Sequence, residues 1–290
     1  MTDNNRNKSA ATEFGAESTT YDKNYDLAHD RYPDHVFRLK IFLDLLAALK
    51  PKQLLDAGCG SGVPLINFLD ADYNTYGFDL SPNMVLEAKQ NVKAAGHDDS
   101  RVFQGDLDNF SPPTLEKFDA IAALGSVYYT PDTLATLSNL KSHLTDNGDL
   151  IFSLRNELFS LFSLNKYSVE YLTGSIYPIR ELSTELRNSV EEFLGSKFTD
   201  ADIAQLFKNV DERQIMSQLH NPLTVATELL DPIGMELVDI YYYHFHALPP
   251  IFEHSHPQEF RKLSAGYESP SDWRGLFMAS CFVVHARPKN

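Results

Sequence analysis

Cysteine is nearly absent from this chain, with Cys59 and Cys281 alone among 290 residues. Two thiols so far apart build no disulfide framework, and their scarcity fits a reducing compartment, so a cytoplasmic protein is expected. Long hydrophobic runs are lacking too. No stretch approaches the roughly 20 apolar residues that cross a bilayer, and residues 1–20 hold no apolar segment of the kind a secretory leader needs. Positive charge is in short supply: 25 Lys and Arg stand against 40 Asp and Glu, a net charge of −15. No basic run concentrates what there is, which disfavours a phosphate-backbone partner. Neither nucleic acid nor a membrane is therefore expected as a partner, and a small-molecule substrate is.

Apolar material is ample. Hydrophobic residues make up 43% and charged residues 22%, the balance of a globular chain long enough for a substantial core. Its organising stretch is Leu54-Leu55-Asp56-Ala57-Gly58-Cys59-Gly60-Ser61-Gly62. Gln53 to Ala57 reads as a short buried strand and Val63 to Leu69 as a helix, with three glycines in the turn between them. Glycine is required where backbone takes positive φ or approaches a ligand closely, and packing alone does not account for three together. The G-x-G-x-G spacing departs from the G-x-G-x-x-G of pyrophosphate-binding turns and points to a nucleoside ligand without a pyrophosphate.

Strand and helix patterns alternate from there. Asn74 to Leu80 reads as a second strand. Asp79 lies roughly twenty residues past the glycines, where doubly wound folds deliver a carboxylate to ribose hydroxyls. A carboxylate can accept from both hydroxyls of a vicinal diol. Ser81 and Pro82 start a helix cleanly. Arg101 to Leu107 is a third strand with its turn, and Phe118 to Leu124 has the continuous apolar character of a strand buried on both faces. Asp146-Asn147-Gly148 is a turn signal ahead of a fifth strand, Asp149 to Leu154. Such alternation argues for a parallel α/β sheet.

An acidic residue followed by G-x-G-x-G after a strand resembles the first motif of the class I S-adenosylmethionine (SAM)-dependent methyltransferases, and the resemblance is specific from Leu54 to Leu154. It implies a doubly wound, mostly parallel seven-stranded sheet whose last two strands, here Glu236 to Phe245 and Leu276 to Ala286, form an antiparallel pair. It also implies SAM as cofactor and S-adenosylhomocysteine as product. The backbone from Gly58 through Gly60 to Gly62 is then expected at the methionine portion, Asp79 at the ribose, and Asp106 and Leu107 at the adenine. Asp56, Cys59, Leu80, Met84 and Leu124 complete the expected cofactor set, with Tyr21 in an N-terminal arm folded over it.

The domain plan expected is an arm over residues 1–33, partly mobile, a cofactor-binding core over 34–154, a helical insertion over 155–221, and the end of the core over 222–290. Regular alternation stops after Leu154, and no sixth strand is expected until about Met235. The insertion is too apolar for a disordered loop, with Thr199-Asp200 capping a helix that carries Ile203, Leu206, Phe207 and Val210. It reads as a cover for the catalytic face or as an interface, in a monomer or homodimer.

Two His-x-His pairs, His244/His246 and His254/His256, carry imidazoles of the kind that bind zinc or iron. Cysteine ligands are absent nearby and no carboxylate has facial-triad spacing, so no metal is expected. His246 is the candidate general base, because its ordinary pKa lies near neutrality. Tyr128, Arg155, Asn156, Tyr167, Tyr171 and Arg274 are the expected acceptor contacts. The expected activity is in-line methyl transfer to a small polar metabolite of sugar or natural-product type, chiefly at oxygen. Two rivals are an RNA or protein methyltransferase of the same fold and a non-catalytic SAM-binding scaffold.

Overall fold

The computed structural model describes residues 22–25, 32–114, 116–177, 179–197 and 218–289. Tyr21 and the helix expected after Thr199 lie outside the described residues. Helix α1 (Asp34–Leu49) buries Arg38, Leu39, Ile41, Phe42 and Leu46, and stops where Lys50 turns left-handed ahead of Pro51. Then β1 (Gln53–Ala57), α2 (Val63–Asp70), β2 (Asn74–Asp79), α3 (Pro82–Ala94), β3 (Val102–Gln104) and β4 (Phe118–Ala123) follow in the expected alternation. Ser81 caps α3 by accepting from the Met84 amide. Helix α4 (Thr133–Ser142) and β5 (Leu144–Asn156) complete the parallel half of the sheet.

After β5 come α5 (Phe159–Ser163), α6 (Lys166–Tyr171) and α7 (Thr184–Lys197), then β6 (Leu219–His220), β7 (Met235–Phe245) and β8 (Ala279–Pro288). Strand order is β3-β2-β1-β4-β5-β8-β7, with β6 paired to β5 off this path. The strands β1 to β5 run parallel, and β8 runs antiparallel to both β5 and β7. This is the doubly wound, mostly parallel sheet expected from the sequence. The order reverses between β1 and β4, which places a ligand crevice outside the carboxyl ends of those strands.

Two details differ from the sequence reading. Asp146-Asn147-Gly148 lies within β5, where the register jumps from Phe118↔Leu144 to Ala120↔Asp149, so a bulge absorbs the turn residues. Strand β6 was not expected; its two residues pair in parallel with Arg155 and Asn156. Two residues carry no periodicity to read.

Apolar clusters fill both faces of the sheet. Leu55, Phe78, Phe118, Phe152 and Phe282 share one face, and Phe42, Leu46, Leu54, Ile151 and Val283 the other. Near the sheet's upper edge Gly275 packs on Tyr242 so closely that a Cβ there would stand 2.3 Å from the ring's Cγ. Gly275→Ala is expected to lower stability by about 1–3 kcal/mol, since the ring cannot retreat from a buried methyl without repacking. Urea unfolding checks this through a lower midpoint at unchanged slope.

Candidate active site

The site begins where β1 ends. Gly58, Gly60 and Gly62 hold φ of +82°, +54° and +91°, which glycine adopts without steric cost. The Gly58 and Cys59 amides both donate to the Phe78 carbonyl, at 2.9 and 2.8 Å, pinning the turn to the end of β2. A Cβ on Gly58 would stand 2.6 Å from the Ser126 Cβ, so the turn also closes on the loop after β4. Asp79 joins the same turn: Oδ2 accepts from the Gly60 amide at 3.0 Å and Oδ1 from the Ser81 amide at 2.9 Å. Each oxygen keeps a further lone pair, so the carboxylate can still take two hydroxyl donors. Burial raises its pKa, against the opposing pull of those amides.

Gly58, Asp79, Leu80, Asp106 and Leu107 line one cleft, together with Phe78, Gly105, Ser126, Tyr129 and Thr130. The structure thus brings five of the sequence-derived cofactor residues to one place, at the carboxyl ends of β1 to β4. Asp106 is shaped for it by an Asx turn, its Oδ1 accepting from the Asp108 amide at 3.1 Å. Cys59 and Met84 are buried in the turn and in the first helical turn of α3. Burial pushes the Cys59 thiol far up. Leu124 is buried at the end of β4, in the cluster that holds Phe42 and Leu54.

Asp56 is the site's most unusual group. It is 0% exposed, and neither carboxylate oxygen has a hydrogen-bond partner among the described residues. Burial and then the charge of Asp79 raise its pKa to about 8, with Arg38 partly offsetting them. A buried carboxylate in that position is stabilised either by its own proton or by an incoming cation.

Beyond β4 and β5 lies a second group of side chains. The Arg155 guanidinium sits over the Tyr128 ring, 5.2 Å from its centroid, with the Tyr129 side chain also acting on its charge. Tyr129 lines the cleft as well, so it joins the two regions. His244 has φ of +60° at the end of β7, which interrupts the simple alternation expected of that strand. Burial, followed by Arg155 and Arg38, pushes its pKa down to about 3. The His246 ring lies 4.7 Å from that of His244 and 4.7 Å from Phe159, with Phe260 at 5.4 Å. Tyr32 stacks on His244 at 4.9 Å and donates to Glu268 at 2.6 Å. His246 is 4% exposed and neither ring nitrogen has a hydrogen-bond partner among the described residues. Burial and then His244 hold its pKa well below the usual imidazole range, not near neutrality as expected from the sequence, so it is neutral at pH 7 and a weaker base than a free imidazole.

Other sequence-derived acceptor residues are placed differently. Asn156 is committed to the framework: its amide nitrogen donates to the carbonyls of Gly275, Leu276 and Ala279 at 3.2, 2.9 and 2.8 Å, and its oxygen accepts from Leu158. That replaces the expected substrate contact with a positioning task, because both ends of the amide are already used. Arg274 is exposed and bound to Asp272, its Nε 3.0 Å from both carboxylate oxygens. Tyr167 is exposed on α6 beneath the Lys166 ammonium, and Tyr171 is buried on the same helix.

Arg38 and Tyr129 were missed. Arg38 is 2% exposed and stands four residues before Phe42 and eight before Leu46, so a cation on the apolar stripe of α1 was the available signal. Gly125 explains its reach: a Cβ there would meet Arg38 Nη1 at 2.2 Å and Tyr128 Oη at 3.2 Å. Tyr129 follows β4 at the expected place, but nothing in the sequence separates it from Tyr128.

Among the described residues no group of three metal-ligating side chains occurs, and no helix is long and apolar enough to cross a membrane. Residues 55–150 match the methyltransferase-domain family. A ubiquinone biosynthesis O-methyltransferase of Actinobacillus pleuropneumoniae is 27% identical over 124 residues, which are 42% of this chain and 53% of that protein. A tRNA U34 carboxymethyltransferase of Campylobacter fetus is 32% identical over 185 residues, 60% of this chain and 58% of that protein. The chain thus spans about half the length of the curated relatives it matches. Magnesium protoporphyrin IX methyltransferase from Synechocystis, solved with S-adenosylhomocysteine bound, superposes with a TM-score of 0.57 at 16% identity, over 97% of this chain and 98% of that one. Sheet order, glycine turn and matched domain agree: residues 55–150 are similar to the methyltransferase-domain family, and the fold is that of class I SAM-dependent methyltransferases, whose cofactor is SAM.

Proposed function

We propose that this chain transfers a methyl group from SAM to a small polar metabolite, with an oxygen as the acceptor atom. The observation that carries the reading is Asp56, a buried carboxylate without a hydrogen-bond partner among the described residues, two residues before Gly58 of the cleft. An ammonium group, such as the one on the amino-acid end of SAM, is the partner it lacks. The same cleft offers Asp79 to ribose hydroxyls and Asp106 to an adenine amino group.

When bound, SAM supplies an electrophilic methyl on a sulfonium, and the chain's own residues do the rest. Gly58 to Gly62 let the backbone approach the amino-acid end, and Asp79 fixes the nucleoside end. Rate then comes from alignment of the acceptor against the methyl and from exclusion of water. The helices α5 to α7, leaving from the end of β5, serve as the cover in this reading. A hydroxyl acceptor must also lose a proton, and His246, neutral and without a hydrogen-bond partner among the described residues, is the group proposed to take it.

A second reading has one specific support, since the Campylobacter relative is by its name a tRNA-modifying enzyme. The net charge of −15 weighs against a polyanionic acceptor. Methylation of total RNA by the purified chain would replace the small-molecule reading.

Calorimetric titration with SAM tests the cofactor site. Asp79→Ala should weaken binding about 10- to 100-fold, the loss of a charge-assisted pair of hydrogen bonds; undiminished affinity removes the ribose assignment. Asp56 has a pKa near 8, so its proton must leave before it pairs with an ammonium. Affinity for SAM should therefore rise about tenfold per unit between about pH 6 and pH 7.5, and Asp56→Asn should flatten that slope. His246→Ala should lose turnover and keep cofactor affinity; full turnover would take His246 out of the mechanism.

A further inference from the structure

Arg155 is a cation without a counter-ion. It is the penultimate residue of β5, with its Nε buried and without a hydrogen-bond partner among the described residues, while the Tyr129 side chain hydrogen-bonds to the group elsewhere. Among the described residues no carboxylate forms an ion pair with it. The groups that bear on its charge are two phenols and a thiol, the Tyr129 phenol first and hydrogen-bonded to it, and none is a carboxylate. Burial raises the Tyr128 phenol well above its usual range, and burial likewise raises the Cys281 thiol, so both are neutral. His244 feels Arg155 and Arg38 as positive neighbours and is neutral as well. Arg38 has Asp56 across from it, and its charge pulls on that carboxyl. Arg155 thus remains a cation without a carboxylate partner, next to Tyr129, which lines the cleft.

Leaving a desolvated guanidinium in that state is costly, and folds keep such groups where a ligand of opposite charge arrives. On the methyl-transfer reading above, we infer that Arg155 binds a carboxylate of the acceptor, which makes the methyl acceptor a small carboxylic acid. The free Nε edge of a guanidinium is planar and offers two parallel donors, the geometry that a carboxylate fills. The Tyr128 ring beneath it holds the guanidinium plane in place. A phosphate dianion would call for further donors, and among the described residues no lysine bears on Arg155 or His244. Location supports the same reading, because Tyr129 touches both the arginine's field and the cofactor cleft. An acid anchored at Arg155 would present its other end toward the methyl-donor site.

The test uses the full chain loaded with S-adenosylhomocysteine and isotope-labelled arginine, with the Nε resonance of Arg155 assigned by its loss in Arg155→Lys. Benzoate and acetate are titrated against benzamide and acetamide, with inorganic phosphate as a third arm. The expected result is a saturable shift of the Arg155 Nε resonance with the carboxylates and none with the amides. Arg155→Gln should weaken carboxylate binding about tenfold or more while S-adenosylhomocysteine affinity stays within about twofold. Equal response to acid and amide, response to phosphate alone, or no saturable response in protein that binds S-adenosylhomocysteine overturns the carboxylate inference. Failure of the folded chain to bind S-adenosylhomocysteine overturns the methyl-transfer reading beneath it.

Discussion

Two hydrogen bonds hold the architecture of the site: those from the Gly58 and Cys59 amides to the carbonyl of Phe78. They tie the turn after β1 to the last full residue pair of β2, and so place Asp79 where Gly60 can reach it. Without that tie the three left-handed glycines would be a loose loop. With it they become a rigid ledge beside a carboxylate. Ser126, pressed against Gly58 and donating its hydroxyl to the Ala57 carbonyl at 2.8 Å, closes the ledge from the β4 side. The cleft is thus bounded by backbone, which mutation of side chains alters least.

A tension runs through the electrostatics. Asp56, fully buried, feels the charge of Asp79, a half-buried carboxylate lining the cleft, inside a chain already carrying a large negative charge. Folding tolerates them because Asp79 is met by two amides and Asp56 can keep its proton. On the opposite side Arg38 and Arg155 face a run of neutral aromatic and imidazole groups. The molecule therefore holds separated charge of both signs across one crevice. Such polarity is expensive in a core and useful in a site where a sulfonium loses its charge during the reaction.

Much of this was legible in the residues, for particular reasons. Glycine spacing, the carboxylate at the end of the second strand, and the apolar fourth strand are local signals, and each maps onto one element of the parallel half-sheet. The second group of side chains was harder to read because its members come from distant segments: Arg155 from β5 was expected there, but Arg38 from α1 was missed, and His244 comes from the end of β7. Nothing local marks their meeting. Asn156 shows the opposite failure. A polar residue at a strand's carboxyl end looked available, and only the fold reveals that three backbone carbonyls from Gly275 to Ala279 already claim it. Asp146-Asn147-Gly148 misled through correct chemistry in the wrong setting, since a bulge needs the same residues as a turn.

The two-residue strand β6 has a topological effect out of proportion to its size. Chain leaves the sheet at Asn156 and comes back at Leu219 to pair with the same pair of residues, while the Glu157 amide donates to the His220 carbonyl at 2.9 Å. Departure and return form a closed neck. Everything threaded through that neck can change in length or composition without moving a single rung of the main ladder, because loop closure costs little more for a longer excursion. Arg155 sits in the collar of the neck. The fold therefore separates what must stay constant, the ledge beside Asp79, from the excursion between Asn156 and Leu219, where a change disturbs the ladder least.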